Sequence, residues 1–218
     1  MKNKIVFLVA ILTMFGFYAN AQTMEDEGAS FGLRGGVNFQ NINGEDPSGD
    51  KWENDMAVRF NAGVVANIPV APEFYFQPGL LYTTKGAKFN GEVLGIDTSS
   101  ELNTSYLELP LSFLYRPLLG TGHILLGFGP YVAYGLGGKF ESGDNELDIK
   151  FGDESSDDFF YLKRMDYGAN LFFGYELQNG LSVQLNTQLG LANILPDVAD
   201  NDATFKNTGF GISLGYMF

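Results

Sequence analysis

The stretch Asp166-Tyr167-Gly168-Ala169-Asn170-Leu171-Phe172-Phe173-Gly174-Tyr175-Glu176 states the architecture most clearly. Tyr167, Ala169, Leu171, Phe173 and Tyr175 take every second position, with Asp166, Gly168, Asn170, Gly174 and Glu176 between them. A period of two belongs to a β-strand, whose successive side chains point to opposite faces. The second face holds glycine and amides with few Lys or Glu, which suits a confined wet interior better than a surface in bulk water. The chain closes in the same way, on Phe210, Ile212, Leu214, Tyr216 and Phe218. One apolar and one small polar face, repeated from strand to strand, predicts an all-β chain, an antiparallel transmembrane β-barrel.

In the whole chain eight runs carry this pattern: 30–40, 57–68, 74–85, 105–116, 123–137, 161–177, 181–194 and 205–218. Each is long enough for a tilted crossing, which takes about 9–11 residues. The connections alternate in length. Long polar segments follow runs one, three, five and seven (41–56, 86–104, 138–160 and 195–204). Short ones follow runs two, four and six, built on Pro69-Val70-Ala71-Pro72, Pro117-Leu118-Leu119-Gly120 and Gln178-Asn179-Gly180, where Asn-Gly favours a tight hairpin. Four long connections on one rim, with three short ones and both termini on the other, is the up-and-down pattern of an eight-stranded outer-membrane barrel, its long loops extracellular. The long segments also hold 19 of the 26 acidic residues, crowded at Asp144, Glu146, Asp148, Asp153, Glu154, Asp157 and Asp158.

Sides can be assigned within the runs. Leu107, Leu109, Leu111, Phe113 and Tyr115 oppose Tyr106, Glu108, Ser112 and Arg116; Phe60, Ala62, Val64, Ala66 and Ile68 oppose Arg59, Asn61, Gly63 and Asn67. Pro78, Pro110 and Pro130 lie inside runs where a central strand would not take them, so bulges are expected there. A soluble barrel would turn the apolar face inward and need a charged exterior; these polar faces are too rich in glycine and too poor in charge to supply one.

At the N-terminus, Lys2 and Lys4 precede an apolar stretch from Ile5 to Phe17 and then Ala19-Asn20-Ala21. This reads as a signal peptide over 1–21, a short periplasmic segment over 22–29 and the barrel over 30–218. Its apolar run of about 13 residues is short of the roughly 20 a spanning helix needs. The absence of cysteine excludes a lipid-anchoring Cys, disulfides and thiol chemistry. Loss of Lys2 and Lys4 takes the formal charge from −13 to −15, which argues against nucleic acid as a partner. Gly at 28 residues beside 15% aromatics fits a barrel wall.

Seven charges are assigned to the bore: Arg34, Arg59, Glu108, Arg116, Arg164, Asp166 and Glu176. Eight strands leave an interior just wide enough to be filled by side chains, and ions buried there must be paired. A structural plug of Arg–carboxylate pairs is the expectation, with a narrow solute path as its rival. The single histidine, His123, falls at the periplasmic end with no catalytic partner in view, so no catalytic residue is assigned. The run Asp144-Asn145-Glu146-Leu147-Asp148 places Ile149 where an EF-hand turn needs Gly, so no metal or cofactor site is assigned either. Tyr82, Tyr115, Tyr134, Tyr161, Tyr175 and Tyr216 fall near strand ends on the outward face, where their rings suit the headgroup boundary.

Several stretches resemble the PorT-like outer-membrane β-barrel family: Tyr106-Leu107-Glu108-Leu109-Pro110-Leu111, Gly127-Phe128-Gly129-Pro130-Tyr131-Val132-Ala133-Tyr134, Asp166-Tyr167-Gly168 through Gly174-Tyr175-Glu176, Gly190-Leu191-Ala192-Asn193-Ile194 and Gly215-Tyr216-Met217-Phe218. The resemblance implies an eight-stranded outer-membrane barrel whose last strand, through Tyr216 and Phe218, is read by the barrel-insertion machinery. It also implies secretion-system proteins as partners in the namesake branch. Gly79 departs from relatives that carry an acidic residue at that place. The expected protein is a monomer in contact with outer-membrane lipid, non-catalytic, serving surface interaction or envelope structure. An accessory role in a secretion or gliding machinery and a small-solute pore are the alternatives.

Overall fold

The computed structural model describes residues 28–46, 49–93, 96–143, 145–152, 160–196 and 203–218. The signal-peptide reading over 1–21, most of the segment 22–29, and Asp144, Asp153, Glu154, Asp157 and Asp158 lie outside them.

Eleven strands are formed among the described residues: β1 Ser30–Asn43, β2 Asp55–Ala71, β3 Phe74–Val93, β4 Ile96–Tyr115, β5 Leu118–Leu119, β6 Gly122–Ser142, β7 Asn145–Phe151, β8 Phe160–Leu162, β9 Met165–Glu176, β10 Leu181–Gly190 and β11 Lys206–Met217. Eight of them pair antiparallel in the order β4-β3-β2-β1-β11-β10-β9-β6, and β4–β6 pairing closes the ring. First and last strands meet in unbroken register from Gly32↔Met217 to Asn43↔Lys206. The closed ring leaves no free edge in the wall, as an apolar solvent requires.

The alternation reads outward as expected. Leu171, Phe173, Val183, Leu185, Ile212 and Leu214 are about half exposed, while Gly168, Gly174, Ser182, Gln184 and Ser213 are buried. Phe172 keeps the alternation and faces the bore, but it is large and apolar where its neighbours on that face are small or polar. Gly127 makes room for it, since a Cβ there would run into the Phe172 ring.

The three prolines are not bulges. Each leaves the register unshifted and interrupts the ladder on one side only, because a missing N–H removes bonds to one neighbour. The β2–β3 ladder skips from Val65↔Gly79 to Ile68↔Phe76 beside Pro78, while Pro78↔Leu111 is kept on the other side. Pro110 keeps Tyr131 and loses β3; Pro130 keeps Ala169 and loses β4. The register shifts fall elsewhere, at Ser105/Tyr106, between Met56 and Asn61, and between Pro69 and Ala71 at the β2–β3 turn.

The long segments also contain paired strand among their described residues. β3, β4 and β6 run for 20, 20 and 21 residues, about nine more than a crossing needs. Their upper halves pair with each other from Lys85↔Thr104 to Val93↔Ile96 and from Ser100↔Ser142 to Thr104↔Gly138. The sixth run divides into β8 and β9, and the seventh stops at Gly190. Above the bore, Ile42, Ala87, Leu102, Ile149, Leu162, Ile194 and Phe205 form a buried apolar cluster, with Trp52, Phe89, Phe140, Phe151 and Leu195 against it. Trp52 stands edge-on to Phe205 at 5.0 Å and its indole N–H donates to the Thr204 carbonyl. The described parts of these segments therefore form a packed cap over the barrel. On the outer face of that extension the Glu146 carboxylate, 2.6 Å away, holds the pKa of the Lys139 ammonium above its ordinary value.

Candidate functional site: the filled bore

The inward positions of eight strands converge on a narrow axis, and three separate ion-paired groups occupy it. At the end with the short turns, Arg116 follows β4 and Glu176 ends β9; Arg116 reaches Glu176 Oε1 through Nη2 at 2.5 Å and Nε at 3.1 Å. His123 Nδ1 lies 4.0 Å from the same oxygen. His123 thus has a carboxylate neighbour, contrary to its sequence reading, but one already held by an arginine. Above this pair Tyr75, Leu114, Leu125 and Phe172 form an apolar layer.

Arg34 comes next, its guanidinium 5.8 Å from the centre of the Phe172 ring and 3.5 Å from Gln184 Oε1, to which Nη1 donates. It borders a cavity of about 50 Å³ lined also by Asn38, Asn61, Glu108, Asn186, Gln188 and Ser213. Several of these groups bond one another: Asn61 donates to Asn38 at 2.9 Å and Asn186 to Ser213 at 2.8 Å. A cavity of that size and polarity accommodates a few waters.

The central group is built on Lys85, which is fully buried. Its ammonium lies 2.9 Å from Glu108 Oε2, 3.0 Å from Asp166 Oδ2 and 4.1 Å from the centre of the Tyr131 ring. Gln188 donates to Glu108 Oε1 at 2.9 Å; Asn207 donates to Asp166 Oδ2 at 3.1 Å, and the Tyr131 hydroxyl to the same atom at 3.3 Å. An ion taken into a low-dielectric interior costs several kcal/mol unless charge and hydrogen bonds compensate it; here both forms of compensation are present.

Nearest the cap, Arg59 Nη1 meets Glu101 Oε1 at 2.7 Å while Nη2 donates to the Leu102 carbonyl at 2.8 Å. The guanidinium so joins the wall to the root of the extension.

Of the seven expected charges, Glu108 and Asp166 are brought together, Arg116 pairs with Glu176, and Arg34 and Arg59 stand apart. Arg164 is a correction: it is exposed outside the wall, where Nη1 donates to the Tyr134 hydroxyl at 3.3 Å and Nη2 to the Phe151 carbonyl at 3.0 Å. The alternation that would have turned it inward begins only at Met165, because the chain bends at Lys163–Arg164 between β8 and β9. Lys85 and Glu101 were missed. Lys85 shares the parity of Gln77, Leu81 and Thr83 and was legible as inward; its place at the margin of the third run hid it. Tyr82, Tyr134 and Tyr216 are exposed on the wall, while Tyr115, Tyr161 and Tyr175 are half-buried. At the closing strand Phe218 N donates to the Phe31 carbonyl at 2.8 Å and its ring meets Tyr216 edge-on at 5.2 Å.

Apart from Arg34, the bore's charged groups are locked in pairs, without a nucleophile beside a free base among the described residues. Apolar layers lie above and below the polar middle.

The family model described as outer membrane protein beta-barrel domain matches residues 20–195. No curated protein matches. Among solved structures the chain is similar to Ail, the attachment invasion locus protein of Yersinia pestis, in complex with the heparin analogue sucrose octasulfate (10% identity, 88% of this chain and 100% of that one, TM-score 0.42). It is similar to the outer membrane protein OprG from Pseudomonas aeruginosa (12% identity, 88% and 97%, TM-score 0.46). It is also similar to a major outer membrane protein from Thermus thermophilus (14% identity, 88% and 100%, TM-score 0.41).

Proposed function

This chain belongs to the outer membrane protein β-barrel domain family, and on that basis we propose that it is a closed, non-catalytic barrel whose work is done at the cell surface. The observation that carries the reading is the contrast between the two ends. The periplasmic rim ends in tight turns, whereas β3, β4 and β6 rise about nine residues past the membrane and are held together over an apolar cluster. A sheet kept in shape beyond the membrane is a platform for contacts. The paired charges and the two apolar layers speak against steady conduction.

The test is a shortened protein in which residues 88–101 are replaced by a two-residue turn. It is expected to assemble as a heat-modifiable barrel and to lose the surface cross-links that the full chain forms on whole cells. Retention of every cross-link would overturn the reading. In planar bilayers the full chain is expected to be electrically silent, and steady single channels would favour the pore instead.

The resemblance to the PorT-like family favours a second, finer reading, an accessory barrel of a secretion machinery. Native-membrane purification separates the two, since a stable multi-protein complex is expected only of the second. On either reading residues 1–21 direct export, and Tyr216 with Phe218 guides insertion of a monomer. Deleting Phe218 is expected to lower the amount of assembled barrel without changing synthesis.

A further inference from the structure

Arg164 stands where the lipid-facing wall meets the extracellular rim. Directly below it Met165, Tyr167 and the neighbouring Tyr134 are exposed members of the apolar band. Below Arg164, β9 has 12 residues down to Glu176, about the length of one tilted crossing, so the guanidinium lies at the height of the outer headgroups. It is held in place: two hydrogen bonds fix it, and the rings of Tyr134 and Phe151 lie 5.3 and 5.7 Å from its carbon. Those bonds use two of its five N–H donors, and no carboxylate lies within ion-pair distance of it among the described residues.

Lys85, Arg59 and Arg116 have carboxylate partners; Arg34 inside the bore and Arg164 outside it have none among the described residues, and of these two only Arg164 is exposed. A guanidinium with parallel N–H groups free is suited to a phosphate, which it can bind through two oxygens at once. Lys139, Glu141, Glu146, Asp148 and Lys150 stand above it on β6 and β7, with Lys139 and Glu146 already paired. Counted with Arg164, these described residues carry three positive and three negative charges.

We propose that Arg164, positioned by Tyr134 and Phe151, binds the phosphate of an outer-leaflet lipid headgroup whose chains lie along Met165 and Tyr167. The site is independent of the function proposed above.

The experiment uses the purified full chain in phosphatidylcholine vesicles, with spin-labelled phosphatidic acid or spin-labelled phosphatidylcholine as probe. The motionally restricted fraction gives the preference for the phosphate monoester. The wild type is expected to prefer phosphatidic acid, and Arg164→Gln to lower that preference about five-fold, the effect of one basic residue near an anionic surface. Lys51→Gln, an exposed cation between β1 and β2, is expected to leave it unchanged. If Arg164→Gln fails to show heat-modifiable migration, Arg164→Met is read in its place. Equal preference in wild type and variant, or an equal loss in Lys51→Gln, overturns the proposal. So does displacement of the labelled lipid by millimolar inorganic phosphate, which would make this a site for the free anion.

Discussion

Replacing Lys85 with Met tests the account of the bore most directly. Methionine keeps the length and apolar character of the buried stem, so the change removes charge rather than volume. Two ion pairs, at 2.9 Å to Glu108 and 3.0 Å to Asp166, and the contact with the Tyr131 ring at 4.1 Å are lost together. Asp166 keeps donors from Asn207 and Tyr131, whereas Glu108 keeps Gln188. Removing one partner of a buried ion pair costs about 3–5 kcal/mol, because the remaining charge is left uncompensated; with two carboxylates stranded, about 4 kcal/mol is expected here. Urea unfolding in detergent micelles gives the value, followed by far-UV circular dichroism for the wall and by fluorescence of the single Trp52 for the cap. The double variant Lys85→Met with Asp166→Asn removes one stranded charge and is expected to recover about half of the loss, a non-additivity characteristic of contacting groups. A loss under about 1 kcal/mol for Lys85→Met, or strict additivity in the double variant, would refute the view that these charges hold one another.

Three further outcomes are expected. Gly127→Ala drives a Cβ into the Phe172 ring and should lower stability by about 1–3 kcal/mol; Phe172→Leu in the same chain should return much of it, as read by the urea midpoint. Cysteines at Asn145 and Thr121, both exposed on opposite rims, should label oppositely on intact cells, the first readily and the second only after permeabilisation; Thr121 is used because Gly120 has φ +65, where a side chain is strained. Pro78→Ala supplies the missing N–H opposite Ala66, in the gap between Val65↔Gly79 and Ile68↔Phe76, and should raise stability by about 1 kcal/mol, as read by the urea midpoint; an unchanged midpoint would count against the proline reading.

The wall was legible in the sequence because period-two alternation is enforced at each residue by what lies on either side. Phe173 against Gly174, or Leu185 against Gln184, has only one arrangement that suits both lipid and bore. Where that enforcement ends, reading failed. Above the membrane no lipid enforces the alternation, so residues 86–104 read as a loop although β3 and β4 pair along them. Arg164 had the parity of Asp166 but sat beyond a bend that parity cannot register. The prolines were expected to shift the register, yet a strand can lose bonds to one neighbour while the other holds it in line. Three-dimensional proximity was hardest: Lys85, Glu108 and Asp166 come from three strands, and no spacing along the chain announces that they meet.

The apolar cap also bears on how the protein reaches its final state. On the proposed sidedness, segments carrying most of the acidic residues pass through the bilayer, and with them Trp52, Phe89 and Phe205, which pack together on the far side. Their coalescence acts as a latch. Once it closes, withdrawal would demand dismantling that cluster and dragging the acids back through oil, so arrival is easy to complete and hard to reverse.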